Sequence, residues 1–192
     1  TRPPGKNGAM TRRVVLGPGA SGTAATMQPW VDGLRVRGIE AWAVDLRRGK
    51  AEDAVAGFET IVPDGPDVVV GGQSFGGRVA SLSAARRTYA GLVCLSYPLH
   101  RPGAPETATE RTAHWPAIRC PALLLSGTSD PFARIDLLRS HLPALPRAEL
   151  VEYPRLGHGL TAVRDDVLDR IAAFVDGLAR SGDQLDSGRP QG

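Results

Sequence analysis

Short runs of consecutive apolar residues, rich in Val and Leu, alternate along the chain with longer stretches whose apolar positions recur at helical spacing. The runs Arg13–Leu16, Ala41–Val44, Asp67–Val70, Gly91–Leu95, Ala122–Leu125 and Ala148–Glu152 predict strands. Most are apolar at neighbouring positions, the pattern of strands covered on both sides, because successive side chains point to opposite faces of a sheet. Between them the spacing predicts helices over Thr26–Arg37, Ala51–Ile61, Gly77–Arg87, Ala133–His141 and Asp165–Leu178. The last of these gathers Val167, Leu168, Ile171, Phe174, Val175 and Leu178 on one face. Strands alternating with helices make βαβ units, so the expected class is α/β, with about six mostly parallel strands and helices on both faces.

The stretch from Leu99 to Pro121 breaks the rhythm: it holds several prolines, shows little periodicity and reads as the longest irregular connection. It is short for a lid, and no large lid is expected. A chain of 192 residues suits one well-buried core. The domain is expected over residues 11–180. Residues 1–10 read as a flexible N-terminal extension, Pro/Gly-rich and polar, with Met10 directly before the first strand. Residues 181–192 read as a disordered tail. Thr1–Ala9 lacks the apolar core of a secretory signal. Since residue 1 is not Met, a segment already removed stays open.

Composition narrows the function classes. The hydrophobic fraction of 42% and charged fraction of 22% are those of a soluble globular chain, and no apolar run approaches the roughly 18 residues of a membrane span. A net charge of +3 could attract nucleic acid. The arginines, however, come in scattered pairs such as Arg12-Arg13, Arg47-Arg48 and Arg86-Arg87, with no interleaved aromatic stripe. Lysine occurs only at Lys6 and Lys50, which looks like codon bias, so neither a nucleic-acid nor a membrane partner is expected. Cys94 and Cys120 form no disulfide framework in a chain of this size and read as buried thiols. The cysteines and histidines have no ligand spacing, so no metal and no organic cofactor are expected. The expected location is cytoplasmic, and the sequence sets no oligomeric state.

One motif carries chemistry. Gly72-Gln73-Ser74-Phe75-Gly76 fits G-x-S-x-G, follows an apolar strand and opens an amphipathic helix, the context of a nucleophile elbow. Glycines two residues either side of Ser74 relieve the crowding that side chains would cause in so tight a turn. An ordinary Gly-rich βα turn is the plainer reading, but a dinucleotide site would place its glycines in the first βα turn and this is the third. A serine hydroxyl needs a base. His141 lies inside a predicted helix, His114 in the irregular connection, and His100 precedes every acidic candidate of the later strands. His158, in Leu156-Gly-His-Gly159, lies past the last strand with glycines that let its loop turn back.

The acid belongs between serine and histidine in chain order, which points to Asp130 after Ala122–Leu125, with Asp136 as competitor. Asp130 also suits a helix N-cap before Pro131. Expected oxyanion donors are the N–H of Phe75 and one from the Gly17–Gly22 loop, at Ala20 or Ser21, Pro18 having none. Gln73 and His100 are candidate substrate-lining residues, and Arg101 a candidate attractor of anionic substrate.

The chain resembles the α/β-hydrolases, in particular the compact dienelactone-hydrolase-like group and its branch of testis-expressed and chromatin-complex hydrolase-like proteins. The resemblance runs from about Arg13 to Leu178. It rests on the Gly-rich first loop, Gly71–Arg78, Ser96-Tyr-Pro-Leu-His-Arg-Pro-Gly103, Ile118-Arg-Cys-Pro121, Gly127-Thr-Ser-Asp130 and Gly157-His158. It implies the α/β-hydrolase fold and a serine hydrolase acting on a small-molecule ester or thioester through Ser74, His158 and Asp130. In that branch the first loop usually reads His-Gly-Ala-Gly where this chain has Gly17-Pro18-Gly19-Ala20, so the resemblance does not choose the second oxyanion donor. The branch also includes interaction modules, and a catalytically inactive hydrolase-like binding domain is the rival expectation.

Overall fold

A computed structural model describes residues 12–186. Six strands form one sheet: β1 (Arg13–Gly17), β2 (Glu40–Ala43), β3 (Gly65–Gln73), β4 (Tyr89–Leu95), β5 (Ala122–Gly127) and β6 (Ala148–Tyr153). Their order is β2-β1-β3-β4-β5-β6, and every neighbouring pair is parallel. The helices are α1 (Gln28–Val36), α2 (Ala51–Ile61), α3 (Phe75–Ala84), α4 (Ala108–Thr112), α5 (Ile135–His141) and α6 (Arg164–Asp186).

The consecutive apolar runs divide between two cores. Val14, Leu16, Val69, Val93, Leu123 and Leu125 point to one face and pack with Trp30 and Leu34 of α1 and with Leu168 and Ile171 of α6. Their neighbours Val15, Val68, Val70, Leu92 and Leu124 point to the other, against Phe58 of α2, Val79 of α3 and Leu138 of α5. Each such side chain taken fully from water contributes about 1.5–3 kcal/mol, which is why runs of adjacent Val and Leu hold this sheet between two helix layers.

From β1 the chain runs outward to β2 and then crosses back to β3 on the other side of β1. The loops after β1 and β3 therefore leave in opposite directions and open a crevice at the carboxyl end of the sheet.

Several elements differ from the sequence expectation. Leu99–Pro121 is not irregular throughout: it holds 3-10 turns at Pro105–Thr107 and Trp115–Ala117 on either side of α4. Trp115 and Ile118 are buried beneath it, with Tyr97 edge-on to Trp115 at 5.2 Å between ring centroids. Helix α5 begins at Ile135 rather than Ala133, because residues 130–133 are taken up by a turn around Asp130. The expected tail from residue 181 is helical as far as Asp186, since no proline interrupts α6. Residues 1–11 and 187–192, and with them the expected extension and the rest of the tail, lie outside the described residues.

Candidate active site

Strand β3 ends at Gln73 and α3 begins at Phe75, so Ser74 alone makes the turn. Its backbone lies at φ 48° and ψ −109°, where a non-glycine residue is strained by about 1–3 kcal/mol and persists only when its surroundings fix it. They do so here: Ser74 N–H donates to Leu95 O at 2.8 Å, and Arg78 N–H donates to Ser74 O at 3.0 Å. The flanking glycines are needed for a reason the motif alone did not show. A Cβ on Gly72 would stand 2.3 Å from Gly17 O, and one on Gly76 would stand 2.1 Å from the same atom. The closest collision is with Gly17 at the end of β1, the strand paired with β3, and a Cβ on Gly72 would also meet Gly76 C within the turn at 2.8 Å.

Asp130 follows β5 and His158 follows β6. Their loops are joined by Thr128 N–H to Tyr153 O at 3.0 Å and by Ser129 N–H to Leu156 O at 2.8 Å. His158 Nδ1 is 2.8 Å from Asp130 Oδ2, and His158 Nε2 is 2.8 Å from Ser74 Oγ. The Asp130 carboxylate accepts only, so Nδ1 is the protonated nitrogen, and Nε2 is left to accept from the serine hydroxyl. The carboxylate is fully buried and the imidazole is a quarter exposed. Asp130 Oδ1 also accepts the Phe132 N–H at 2.8 Å, so the capping seen in the sequence is a local turn and not the start of α5. The competitor Asp136 lies apart, held by Arg134 at 2.6 and 3.2 Å, and that contact keeps its exposed carboxyl below the usual range.

The structure does not bring His100 to the cavity. The ring is buried, its Nε2 accepts the Arg134 N–H at 3.0 Å and its Nδ1 donates to Arg101 O at 2.8 Å. With both nitrogens engaged it joins the loop after β4 to the loop after β5, and the expected substrate-lining place is corrected to a structural one. His114 meets the buried Ser81 Oγ of α3 at 2.8 Å, and His141 contacts Thr112 Oγ1 at 3.1 Å. Among the loop residues Ala20 lines the cavity beside Ser74 and Phe75, whereas Ser21 is exposed and Gln73 is half-buried, both away from the lining.

Sequence reasoning passed over Phe132. Its ring lies 4.5 Å from the His158 ring at 41°, and a lone aromatic in a loop carries no periodic signal. The cavity over Ser74 measures about 650 Å³, with Phe132, Arg78, Arg101 and Arg111 in its walls. A hydroxyl that lines a cavity and is joined through an imidazole to a buried carboxylate can lose its proton without building net charge far from a counter-charge.

Residues 48–165 match the family model described as an alpha/beta hydrolase domain. No curated protein matches the chain. The fold is similar to that of a monoacylglycerol lipase from Paleococcus ferrophilus, with a TM-score of 0.73 at 15% identity over 86% of this chain and 94% of that one. It is also similar to a thermophilic esterase from Thermogutta terrifontis, at 0.67 and 16% over 88% and 90%. A thioesterase domain from the curacin biosynthetic pathway gives 0.67 and 14% over 87% and 91%. At such identities these likenesses concern the fold alone.

Proposed function

Because the chain belongs to the alpha/beta hydrolase domain family, we propose that it is a serine hydrolase, cleaving a small carboxylic ester or thioester through an acyl-enzyme. The observation that carries this reading is the unbroken hydrogen-bonded line from Ser74 Oγ through His158 to the buried Asp130 carboxylate.

Ser74 Oγ attacks the substrate carbonyl while His158 Nε2 takes its proton. The imidazolium then returns that proton to the leaving alkoxide or thiolate, and water, activated by the same nitrogen, releases the acid. Asp130 holds the Nδ1–H tautomer and offsets the charge that forms on the ring. The developing oxyanion is met by the Phe75 N–H at the start of α3, where the helix dipole adds partial positive charge. Ala20 N–H is the second donor: it borders the cavity, and Gly22 N–H is already bonded to Gly19 O at 2.9 Å.

The compact rim and the motifs around Ser74 support a place in the dienelactone-hydrolase-like branch. The free thiols of Cys94 and Cys120 suit a reducing compartment such as the cytoplasm. No described helix is long and apolar enough to cross a membrane.

The test is hydrolysis of short 4-nitrophenyl and thioester substrates by the wild type and by Ser74→Ala. Turnover that falls to the solvent background in the variant supports the reading. Equal rates in the two proteins would leave only the binding-domain rival.

A further inference from the structure

The cavity above Ser74 is walled unevenly. Three arginines, Arg78, Arg101 and Arg111, line it from α3, from the turn after β4 and from α4. Arg78 is largely buried, pairs with Glu52, and its Nε has no hydrogen-bond partner. Arg111 donates through Nη1 to Pro98 O at 2.9 Å. Among the described residues neither Arg101 nor Arg111 forms an ion pair with a carboxylate, although Arg13, Arg37, Arg86, Arg139 and Arg170 all do.

Clustering like charges beside a cavity costs free energy, and the effect is visible on the side chains themselves. The Arg111 guanidinium is shifted down, first by burial and then by the charges of Arg78 and Arg101. On the other side of Arg78, the His114 imidazole is pushed down to about 4, by burial first and by Arg78 second. Carboxylates do line the same cavity. Glu52 is taken by Arg78, while Asp53 and Glu110 are exposed to water that screens them, and Lys50 adds a further cation. The Arg101 backbone is fixed, its N–H donating to Thr107 Oγ1 at 3.0 Å and its carbonyl accepting from Ala104 N–H at 3.0 Å and from His100. Its guanidinium is thus delivered to the cavity mouth by a rigid turn.

The geometry points to an anion subsite: the ester or thioester that reaches Ser74 carries a second group, a carboxylate, received by Arg101 and Arg111, the two cavity arginines that no described carboxylate already holds. A planar guanidinium matches a carboxylate with two parallel N–H···O bonds, which an alcohol or alkyl chain cannot replace. The inference rests on the ester-hydrolase reading of the same cavity and adds the class of substrate. The carboxylate lies on the acyl part or on the leaving group, and the arrangement serves either.

Two matched pairs of esters separate those sources. On the acyl side, 4-nitrophenyl hydrogen glutarate is compared with 4-nitrophenyl valerate; on the leaving-group side, 4-acetoxybenzoate is compared with 4-acetoxybenzamide. In at least one pair the anionic ester is expected to have the higher kcat/KM, by on the order of 10- to 100-fold at low salt. That ratio should fall toward parity in Arg101→Gln and in Arg111→Gln. It should persist in Arg119→Gln, an exposed arginine just before β5, at the opposite end of the sheet. A wild type that favours the neutral ester in both pairs, or a preference that survives both cavity substitutions, overturns the subsite. Absence of turnover on all four esters overturns the hydrolase reading instead. Calorimetry with glutarate on Ser74→Ala then decides the subsite: binding that weakens about tenfold when Arg111→Gln is added upholds it, and no binding overturns it.

Discussion

Phe132 lies against the imidazole of His158, ring centroids 4.5 Å apart, while its backbone N–H donates to the Asp130 carboxylate at 2.8 Å. One loop residue thus touches both partners of the serine, bracing the imidazole with a tilted ring and the carboxylate at the oxygen that His158 leaves free. Phe132→Ala leaves the backbone bond and removes the ring contact. We expect a fall of about tenfold in kcat, the usual cost of a loosened catalytic geometry, with most of it recovered in Phe132→Tyr. An unchanged kcat in Phe132→Ala would show that the hydrogen bonds orient the imidazole unaided.

Asp130 and Asp136 make opposite predictions. Asp130→Asn should fold normally and lose on the order of 10⁴ in rate, because an amide facing Nδ1 favours the wrong tautomer. Asp136→Asn should keep its rate, since Asp136 touches Arg134 and not His158. Comparable losses in the two variants would reverse the assignment of the acid.

Where the sequence was legible, a physical rule tied residue type to place. Adjacent Val14 and Val15, and Val68 through Val70, announced strands covered on both faces because neighbouring side chains must point opposite ways. That Ser74, Asp130 and His158 would meet was legible because G-x-S-x-G has a spacing and the order serine, acid, histidine follows the strands. Contacts between loops left no such trace. His100 looked available from its place after β4, and only the fold shows both of its nitrogens bonded across to Arg101 and Arg134. Trp115 and Ile118 fall in the stretch read as irregular because prolines broke its periodicity, yet they are buried under the segment that carries them. Arg78 stood inside the quoted motif, but its neighbours Arg101 and Arg111 come from other elements.

The glycines of the elbow give a stability prediction. Gly76→Ala would drive a methyl to 2.1 Å from Gly17 O, and backbone cannot yield as a flexible side chain does. Overpacking of this kind costs at least about 1–3 kcal/mol. The urea midpoint should drop accordingly, whereas Gly57→Ala on α2, where a Cβ meets nothing within 4 Å, should be neutral or slightly stabilising. Equal midpoints for Gly76→Ala and the wild type would mean that β1 and the elbow separate more easily than their packing indicates.

His114 sets a pH dependence of stability. Burial, and then the charge of Arg78, push its imidazole down to about 4, so the folded protein keeps it neutral. Between that value and the ordinary histidine value near 6.5, the unfolded chain binds a proton that the folded chain refuses. Stability from this residue is therefore complete above that window and falls as pH drops through it. With its partial exposure allowed for, the loss is on the order of 2 kcal/mol. Urea titrations near pH 7 and near pH 4 should show a smaller loss for His114→Gln than for the wild type, and identical losses would contradict the assignment.

The rim sets substrate size. With Trp115 and Ile118 packed inward, the segment after β4 offers Arg101, Pro102, Glu110 and Arg111 to the cavity. Such walls bury little of a long acyl chain, whose apolar surface must leave water to yield roughly 25 cal/mol per Å². In a series of unbranched 4-nitrophenyl esters, kcat/KM should peak at about two to four acyl carbons. A steady climb from acetate to palmitate would contradict an open, charged site.

Covalent labelling of the serine tests the central claim most directly. The strained turn at Ser74, the 2.8 Å contact with His158 and the buried Asp130 together make this hydroxyl the one that an active-site-directed fluorophosphonate should phosphonylate. Intact mass and peptide mapping of the labelled protein should show a single adduct on the peptide holding Ser74, absent from Ser74→Ala and slowed by orders of magnitude in His158→Ala. An unlabelled wild type, or an adduct that persists in Ser74→Ala, would contradict the account.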